Sequence, residues 1–325
     1  MQKKKVFIGI DVSKETLDVA LTNDVGQVIY IGKFKNSKMG FIKIVDKLKR
    51  YSADEYLICI ESTGKLGYKL IDYVHNQRNM KIAVVNPYYI KAFSNSLGSR
   101  TKNDKIDSKI IAMYCIQYKE IINFLEPRTE EFKKLKELIR HKQYLIRQLA
   151  NQKTYLKSVI DKDIKKSQEK IILKIEKEIK IIDEKIEELL NKSDDISKEI
   201  SLLESVPGIG RKTASQLLVE LLPQQGKYTK KAQTAHARLA PSEHSSGTSV
   251  RKKTKCCILG TPIIKTTLYF PTMNAIRNNP IVASFYKKLI SKGKPKMVAL
   301  IACTRKLLPN NYSSCATFFE VGYYE

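Results

Sequence analysis

Several features that mark common classes of protein are scarce in this 325-residue sequence. The six cysteines form no CxxC pair and the four histidines are scattered, so neither a zinc site nor a disulfide framework is indicated. The longest apolar runs, such as residues 297–303, are far shorter than the roughly 20 residues that a membrane-spanning helix needs. We therefore expect a soluble protein with reduced cysteines and no membrane segment.

Acidic residues are also few. The chain has 59 Lys and Arg against 33 Asp and Glu, which gives a net charge of +26. So large a surplus favours a polyanionic partner, with nucleic acid as the first candidate and an anionic membrane surface as the second. The opening residues, MQKKKVFIGID, pass directly from lysines into an apolar run and show no signal-peptide pattern. We expect an intracellular protein that binds nucleic acid.

Residues 1–125 alternate between strand-like and helix-like patterns. The apolar runs predict strands at 6–10, 17–21 and 28–34, a helix over 41–48, a strand at 56–60, a helix over 66–74 and a strand at 82–85. Three strands followed by helix, strand, helix, strand and helix form a mixed α/β layout. This is the element order of a ribonuclease-H-like domain.

The next segment, residues 126–200, changes composition and from residue 129 onward contains no Pro or Gly. Two heptad seams predict two long helices, and the polar stretch 161–168 predicts the turn between them. An antiparallel coiled-coil hairpin is the expected arrangement, with an intermolecular coiled coil or a simple spacer as alternatives. The seam residues are Leu135, Leu138, Leu145, Leu149, Leu156 and Val159 in the first helix, and Ile172, Ile175, Ile179, Ile182, Ile186 and Leu189 in the second.

Residues 201–325 again have a globular composition, and we expect them to be mostly helical. The stretch 205–210, SVPGIG, followed by an apolar helical pattern over 213–222, is typical of a helix-hairpin-helix. The amides at the start of such a second helix bind a DNA phosphate without contacting bases. This interpretation assigns Gly208, Gly210 and Lys212 to nucleic-acid binding. The alternative is a tight turn in which the two glycines only supply positive φ.

Four carboxylates stand out in so basic a chain. Asp11 closes the first predicted strand and Glu61 the fourth, so neighbouring strands would bring both to the edge where open α/β sheets bind ligands. Asp104 and Asp107 lie three residues apart in the first turn of a predicted helix, on one face. Mg²⁺ prefers hard oxygen ligands, and two ions about 3.5 to 4 Å apart promote phosphodiester cleavage. These acids are therefore predicted to form a two-ion magnesium site.

Each acid also has a purely structural interpretation: Asp11 as a turn residue, Glu61 as a charge at a helix start, and Asp104 as an N-cap. A different functional interpretation takes residues 7–21 as the first phosphate loop of an actin-like ATPase or sugar kinase. That loop normally has a glycine near the positions of Val12 and Ser13, and neither is glycine here.

With the intervening residues 86–112, the four acids resemble the DEDD signature of the transposases of the insertion-sequence 110 family, whose N-terminal domain is RuvC-like. The similarity continues through the helical segment and LLESVPGIGRKTA to AHARLAPSEHSSGTSVR, and fades after about residue 309. The resemblance implies a RuvC-like catalytic domain at 1–125, a coiled-coil hairpin at 126–200 and a C-terminal transposase domain at 201–325.

The resemblance also implies the chemistry. In that family a serine of the C-terminal domain attacks the DNA phosphodiester and forms a covalent phosphoserine intermediate, and the matching residue in HSSGTS is Ser246. A serine hydroxyl is a weak nucleophile at neutral pH and needs a base or a metal ion. Ser245 and Ser249 are neighbouring alternatives. His244 is adjacent, but a lone loop histidine is more often an exposed polar residue than a general base.

The partners implied by the resemblance are donor and target DNA and a noncoding bridge RNA that pairs with both. Family members assemble as dimers to tetramers with a composite site, and they act in the bacterial cytoplasm at the nucleoid. Basic clusters such as Arg251, Lys252 and Lys253 are candidates for contacts with phosphates, and the alternative for each cluster is an ordinary solvated surface run. Two rival interpretations are a purely metal-dependent nuclease or Holliday-junction resolvase, in which water attacks, and an inactive copy that only binds nucleic acid.

Overall fold

A computed structural model describes residues 4–61, 64, 66–98, 103–221, 229–246 and 250–308 of the chain. The chain forms two compact units, Met1–Pro127 and Arg128–Glu325. The prediction that 126–200 and 201–325 are separate domains stays a prediction. Within the described ranges, no helix is both long and apolar enough to cross a bilayer.

The first unit is built on a five-stranded mixed sheet with the strand order β3-β2-β1-β4-β5. β1, β2 and β3 form an antiparallel meander, and β4 and β5 run parallel to β1. This order confirms the predicted ribonuclease-H-like layout. The strands are β1 (Lys5–Val12), β2 (Thr16–Thr22), β3 (Val28–Lys35), β4 (Glu55–Glu61) and β5 (Met80–Val85).

Helices cover both faces of this sheet. Val6, Ile8 and Ile10 of β1 pack in one core with the first two helices, while Phe7 packs in a second core with the last two. The alternation arises because successive side chains of a strand point to opposite faces. The helices are α1 (Lys38–Lys49), α2 (Tyr68–His75), α3 (Pro87–Ser96) and α4 (Asp104–Gln117).

The second unit is mostly helical, as predicted, and also contains a two-stranded antiparallel hairpin that the sequence patterns did not indicate. Its helices are α5 (Glu130–Ser158), α6 (Lys162–Lys192), α7 (Asp194–Glu204), α8 (Arg211–Leu221), α9 (Lys230–His236), α10 (Pro262–Thr267), α11 (Tyr269–Asn278), α12 (Pro280–Ser291) and α13 (Lys296–Leu307). The hairpin strands are β6 (Pro241–Ser246) and β7 (Val250–Cys256).

The two long helices α5 and α6 pack against each other in antiparallel directions. Lys142 forms an ion pair with Asp183, and Lys153 Nζ lies 2.7 Å from Glu176 Oε1. Later residues of α5 therefore contact earlier residues of α6. The predicted turn at 161–168 is wrong. Asp161 caps α6 by accepting hydrogen bonds from the amides of Asp163 and Ile164, so only three residues connect the helices.

Cysteines make no disulfide among the described residues. Cys59, Cys115 and Cys303 are buried, and Cys256 and Cys257 are half-buried. Burial with free thiols agrees with the expectation of reduced core residues.

The backbone of α4 lies directly on β1 at Gly9. A Cβ atom at this position would overlap the carbonyl oxygen of Ser108 and the amide nitrogen of Ala112, and would lie 2.9 Å from the carbonyl carbon of Ile111. Gly9 is two residues before Asp11, and Ser108 directly follows Asp107. The absence of a side chain at Gly9 therefore allows the helix that carries Asp104 and Asp107 to approach the strand that carries Asp11.

We expect Gly9→Ala to destabilise the protein by at least about 3 kcal/mol, because the added methyl group meets main-chain atoms that cannot rotate away. Urea unfolding followed by circular dichroism measures the change. Gly210→Ala is the control, since a Cβ there meets nothing within 4 Å. Equal unfolding midpoints for Gly9→Ala and the wild type would contradict the close contact.

Candidate active site

Two of the predicted acids lie side by side at the ends of neighbouring parallel strands. The last register pair of β1 and β4 is Ile10 with Ile60, so Asp11 and Glu61 come next on strands about 4.8 Å apart. By alternation, Asp11 is on the face of Phe7 and Glu61 on the face of Cys59, which is the face that packs against α3 and α4. Both carboxylates therefore lie at the carboxyl edge of the sheet, on one face.

The other two acids lie in the first turn of α4. Asn103 is the N-cap, and its side chain accepts a hydrogen bond from the Ile106 amide at 2.9 Å. The interpretation of Asp104 as an N-cap is therefore wrong, because the preceding residue fills that position. Asp104 and Asp107 are the acidic residues of this turn, where the helix dipole favours negative charge.

Electrostatic effects show that α4 brings its acids near Asp11. Burial raises the pKa of Asp11 above its ordinary value, and the charges of Asp107, Asp104 and Asp18, in that order, raise it further. A hydrogen bond from the Val12 amide acts in the opposite direction. Three members of the predicted quartet therefore interact, while Glu61 is placed by the register of its strand.

Two residues of this site, Asp18 and Lys33, were not predicted from the sequence. Asp18 is the register partner of Asp11 across β1 and β2, and it is only 4% exposed. Lys33 is in turn the register partner of Asp18 across β2 and β3. The Lys33 Nζ atom lies 3.3 Å from Asp18 Oδ2 and 3.4 Å from Asp104 Oδ2. Asp18, Lys33 and Asp104 line an open cleft of about 380 Å³ together with Asn103 and Lys105.

The donor chemistry of this edge fits a hard divalent cation. The four predicted ligands supply carboxylate oxygens only, as Mg²⁺ prefers, and the ammonium group of Lys33 already bridges two carboxylates of the cluster. In the described part of the chain, however, no three His, Cys, Asp or Glu side chains form a group that could hold a metal ion as they stand. Side-chain rotation is therefore needed to complete a cation site here.

The candidate nucleophile lies in the hairpin of the second unit. Ser246 is the last residue of β6 and is the register partner of Val250 on β7. Ser245 pairs with Arg251 and His244 with Lys252. Ser249, the second alternative, lies outside the described residues. The predicted nucleophile and the predicted phosphate-binding residues Arg251, Lys252 and Lys253 therefore belong to one β-hairpin.

The stretch 205–210 joins α7 to α8 in a tight turn. Gly208 has φ +104°, and a Cβ there would lie 3.1 Å from both Ala275 Cβ and Pro271 O, so the turn packs against α11. Gly208 thus has the conformational role that the sequence analysis gave as the alternative. Gly210 faces open space, and Lys212 Nζ lies 3.5 Å from Asp183 Oδ2. Contact with a phosphate stays a prediction for these residues.

The raised pKa of Asp11 makes a prediction about stability. The folded protein binds this proton more tightly than the unfolded chain does, so the associated stability is present at low pH and is lost as the pH rises through the raised pKa. At neutral pH the ionised carboxylate lowers the free energy of unfolding. We expect Asp11→Asn to raise Tm by a few degrees in buffer free of divalent ions.

Thermal unfolding between the ordinary carboxyl pKa and neutral pH measures this effect, and the difference from wild type should shrink as the pH falls. Asp24→Asn, a change of the same charge at an exposed position in the turn between β2 and β3, is the control and should leave Tm unaltered. A lower Tm for Asp11→Asn at neutral pH would contradict the electrostatic analysis.

Comparisons with known proteins identify relatives of this chain. The chain is 31% identical over 320 residues to a pilin gene-inverting protein of Moraxella lacunata, and 30% identical to one of Moraxella bovis; each comparison covers 95% of both chains. A fowlpox virus Holliday junction resolvase is 19% identical, covers 34% of this chain and 98% of its own, and gives a TM-score of 0.25.

Two family models match different parts of the chain. Residues 8–163 match the DEDD transposase model of the IS110 type, and residues 200–287 match the model described as transposase IS116/IS110/IS902 family. The first match includes all four predicted acids, and the second includes Ser246 and the basic residues of the hairpin. With these matches and the relatives that cover 95% of its length, the chain belongs to the IS110/IS116/IS902 family of transposases, enzymes that cleave and rejoin DNA strands.

Proposed function

We propose that this transposase recombines DNA through a covalent serine-DNA intermediate, with Ser246 as the nucleophile and Mg²⁺ bound by Asp11, Glu61, Asp104 and Asp107. The observation that carries the proposal is the acidic edge of the sheet, where Asp107 and Asp104 raise the pKa of Asp11 beside Glu61. An acidic cluster in a chain of net charge +26 has no evident use in binding DNA by itself. Its donors suit a divalent cation.

The proposed covalent step conserves the number of phosphoester bonds. The Ser246 hydroxyl loses its proton to a base as its oxygen bonds to phosphorus, one ester oxygen of the DNA leaves, and that oxygen takes up a proton. A DNA hydroxyl of the kind that was released can then attack the phosphorus of the serine ester. This attack reverses the step, and it joins strands without an external energy source. When bound, Mg²⁺ supplies Lewis-acid stabilisation of the charge that develops on oxygen.

The reaction outcome proposed for this chain is strand exchange that includes inversion of a DNA segment. The two Moraxella relatives are called pilin gene-inverting proteins, and the similarity extends over 95% of each chain. Inversion uses the same chemical steps as transposition, because in both cases strands are cut and rejoined to new partners. A plasmid that carries two recombination sites in inverted orientation distinguishes inversion from excision by its restriction pattern.

We further propose that a noncoding bridge RNA directs the recombination and that the protein acts as a dimer to tetramer in the bacterial cytoplasm at the nucleoid. The large positive charge supports contact with two polyanions. The state of assembly is proposed from the resemblance to the family. Within the chain, α5 and α6 pack as a hairpin whose heptad positions Leu135, Ile182 and Ile186 are buried, while Ile175 and Ile179 are half-buried.

Ser246→Ala tests the nucleophile. With cognate RNA, labelled DNA and Mg²⁺, the wild-type protein is expected to form a protein-DNA adduct that survives denaturing electrophoresis. Ser246→Ala should reduce the adduct roughly 10³-fold or more, because no other group replaces the attacking oxygen. Ser242→Ala, in the same strand, and Ser245→Ala are the controls and should retain it.

The acids are tested in the same assay. Asp11→Asn and Glu61→Gln should suppress the adduct while RNA binding, measured by filter retention, is unchanged. An adduct that persists in Ser246→Ala would refute the nucleophile assignment. DNA cleavage by the wild type without any adduct would instead support the rival, in which water attacks as in a metal-dependent nuclease or Holliday-junction resolvase. Binding without cleavage would support the inactive copy.

The basic strand β7 makes a separate prediction about DNA affinity. If Lys252 and Lys253 each neutralise one phosphate, changing both to Gln should lower the salt dependence of log K by roughly 0.9 per lost contact. Binding titrations on one DNA duplex at several salt concentrations measure the slope. Lys177→Gln, at an exposed position on α6, is the matched control. An unchanged slope in the double variant would place the phosphate contacts elsewhere.

A further inference from the structure

The ammonium group of Lys33 binds carboxylates from two different elements. Its partner on β2 is Asp18, and its partner on α4 is Asp104, at 3.3 and 3.4 Å. Only Asp104 belongs to the DEDD quartet. The family signature assigns no role to Lys33 or Asp18, and yet both line the cleft beside the acids. A cation therefore already contacts one of the proposed metal ligands.

The two ion pairs differ in environment. The Asp18 side chain is 6% exposed, whereas those of Asp104 and Lys33 are 63% and 52% exposed. A buried carboxylate is costly without a counter-charge, so the Asp18 pair is the one that fixes Lys33. An exposed pair is weak and easily broken. Asp104 can therefore leave Lys33 while the ammonium group stays in place on Asp18.

Lys33, like an ordinary lysine, is an ammonium ion at neutral pH. Its hydrogen bonds to Asp18 and then to Asp104 raise its pKa further, so these contacts leave its charge in place. The cation lies among carboxylates that otherwise repel one another, since Asp107, Asp104 and Asp18 all disfavour ionisation of Asp11. Without a divalent ion, Lys33 offsets part of this repulsion.

We propose that Lys33 is a built-in counter-cation of the acidic site: anchored on Asp18, it binds Asp104 when no divalent ion is present and competes with that ion for the same carboxylate. Lys33 is thus a positioning residue that weakens metal affinity and keeps Asp104 near the sheet in the metal-free protein. This inference rests on the proposed metal site, because it needs Asp104 to be a metal ligand.

Removal of the competing charge should strengthen metal binding. In Lys33→Met, we expect Mg²⁺ and Mn²⁺ to bind roughly five- to twentyfold more tightly, because the variant removes a unit positive charge 3.4 Å from Asp104 Oδ2 in a largely hydrated site. Calorimetric titration with Mg²⁺ and electron paramagnetic resonance of free Mn²⁺ measure the affinity without DNA, at low ionic strength. Neither readout depends on catalysis.

Lys35→Met is the matched control. Lys35 is exposed two residues further along the same strand, where its register partner is Thr16 instead of an acid. Lys35→Met changes the net charge by the same amount as Lys33→Met but removes no ion pair with an acid of the site. Its effect on metal affinity should therefore be much smaller. Equal tightening in both variants would show a long-range charge effect only and would overturn the inference.

A double variant deals with the buried carboxylate that Lys33→Met leaves unpaired. Asp18→Asn combined with Lys33→Met removes the pair with no change in net charge, and thermal unfolding checks that it folds. It should still bind metal more tightly than the wild type, although by a smaller factor, because Asp104 has lost its competitor. Unchanged or weaker binding in folded variants would refute the inference.

Failure of the proposed function gives a different result. The variant Asp104→Asn measures how much metal binds to the protein without the Asp104 carboxylate. If the wild type binds no more Mg²⁺ or Mn²⁺ than Asp104→Asn does, the proposed metal site is wrong, and the proposed competition by Lys33 is wrong as well. If the wild type binds above this background and Lys33→Met equals the wild type, only the role of Lys33 is wrong.

Discussion

The main-chain contact between α4 and β1 at Gly9 is the constraint on which the acidic site depends. Ser108 and Ala112 of the helix reach the strand because Gly9 has no side chain. The acids of the first helical turn and the acid at the strand end thereby come together although they are about a hundred residues apart in sequence. Apolar packing of Phe7 and Ile111 on the same face maintains this contact.

Packing is needed here because the charges themselves oppose the arrangement. Asp11 is half-buried among three other carboxylates, and its raised pKa expresses both the lost hydration and the repulsion. The rest of the domain therefore stabilises a cluster of carboxylates that repel one another. Lys33 relieves part of this repulsion, and the buried Asp18 determines where Lys33 lies.

Much of this could be predicted from sequence, for identifiable reasons. Apolar runs located all five strands within two residues at each end, and acids that closed two such runs were expected at one edge once the strands were neighbours. The Asp18–Lys33 pair was missed because it depends on antiparallel register across two hairpins, which spacing along the chain does not reveal. One signal existed: Asp18 is the single charged residue of the strand TLDVALT, and it lies between apolar residues.

The wrong turn at 161–168 arose because one residue satisfied two sequence patterns. The stretch 161–168 is polar enough for a turn, yet Asp161 is a good N-cap, and helix α6 starts directly after it. Gly208 has a positive φ and a close contact with α11, which the turn itself requires, and its role in binding a phosphate stays a prediction.

The distribution of charge explains how binding and cleavage become linked. The positive surplus attracts nucleic acid, whereas the acidic edge repels a phosphate at the place where the metal ions are proposed to bind. Under the proposed function, a divalent cation neutralises the carboxylates before a phosphodiester binds there. Metal binding and correct placement of DNA would then favour each other.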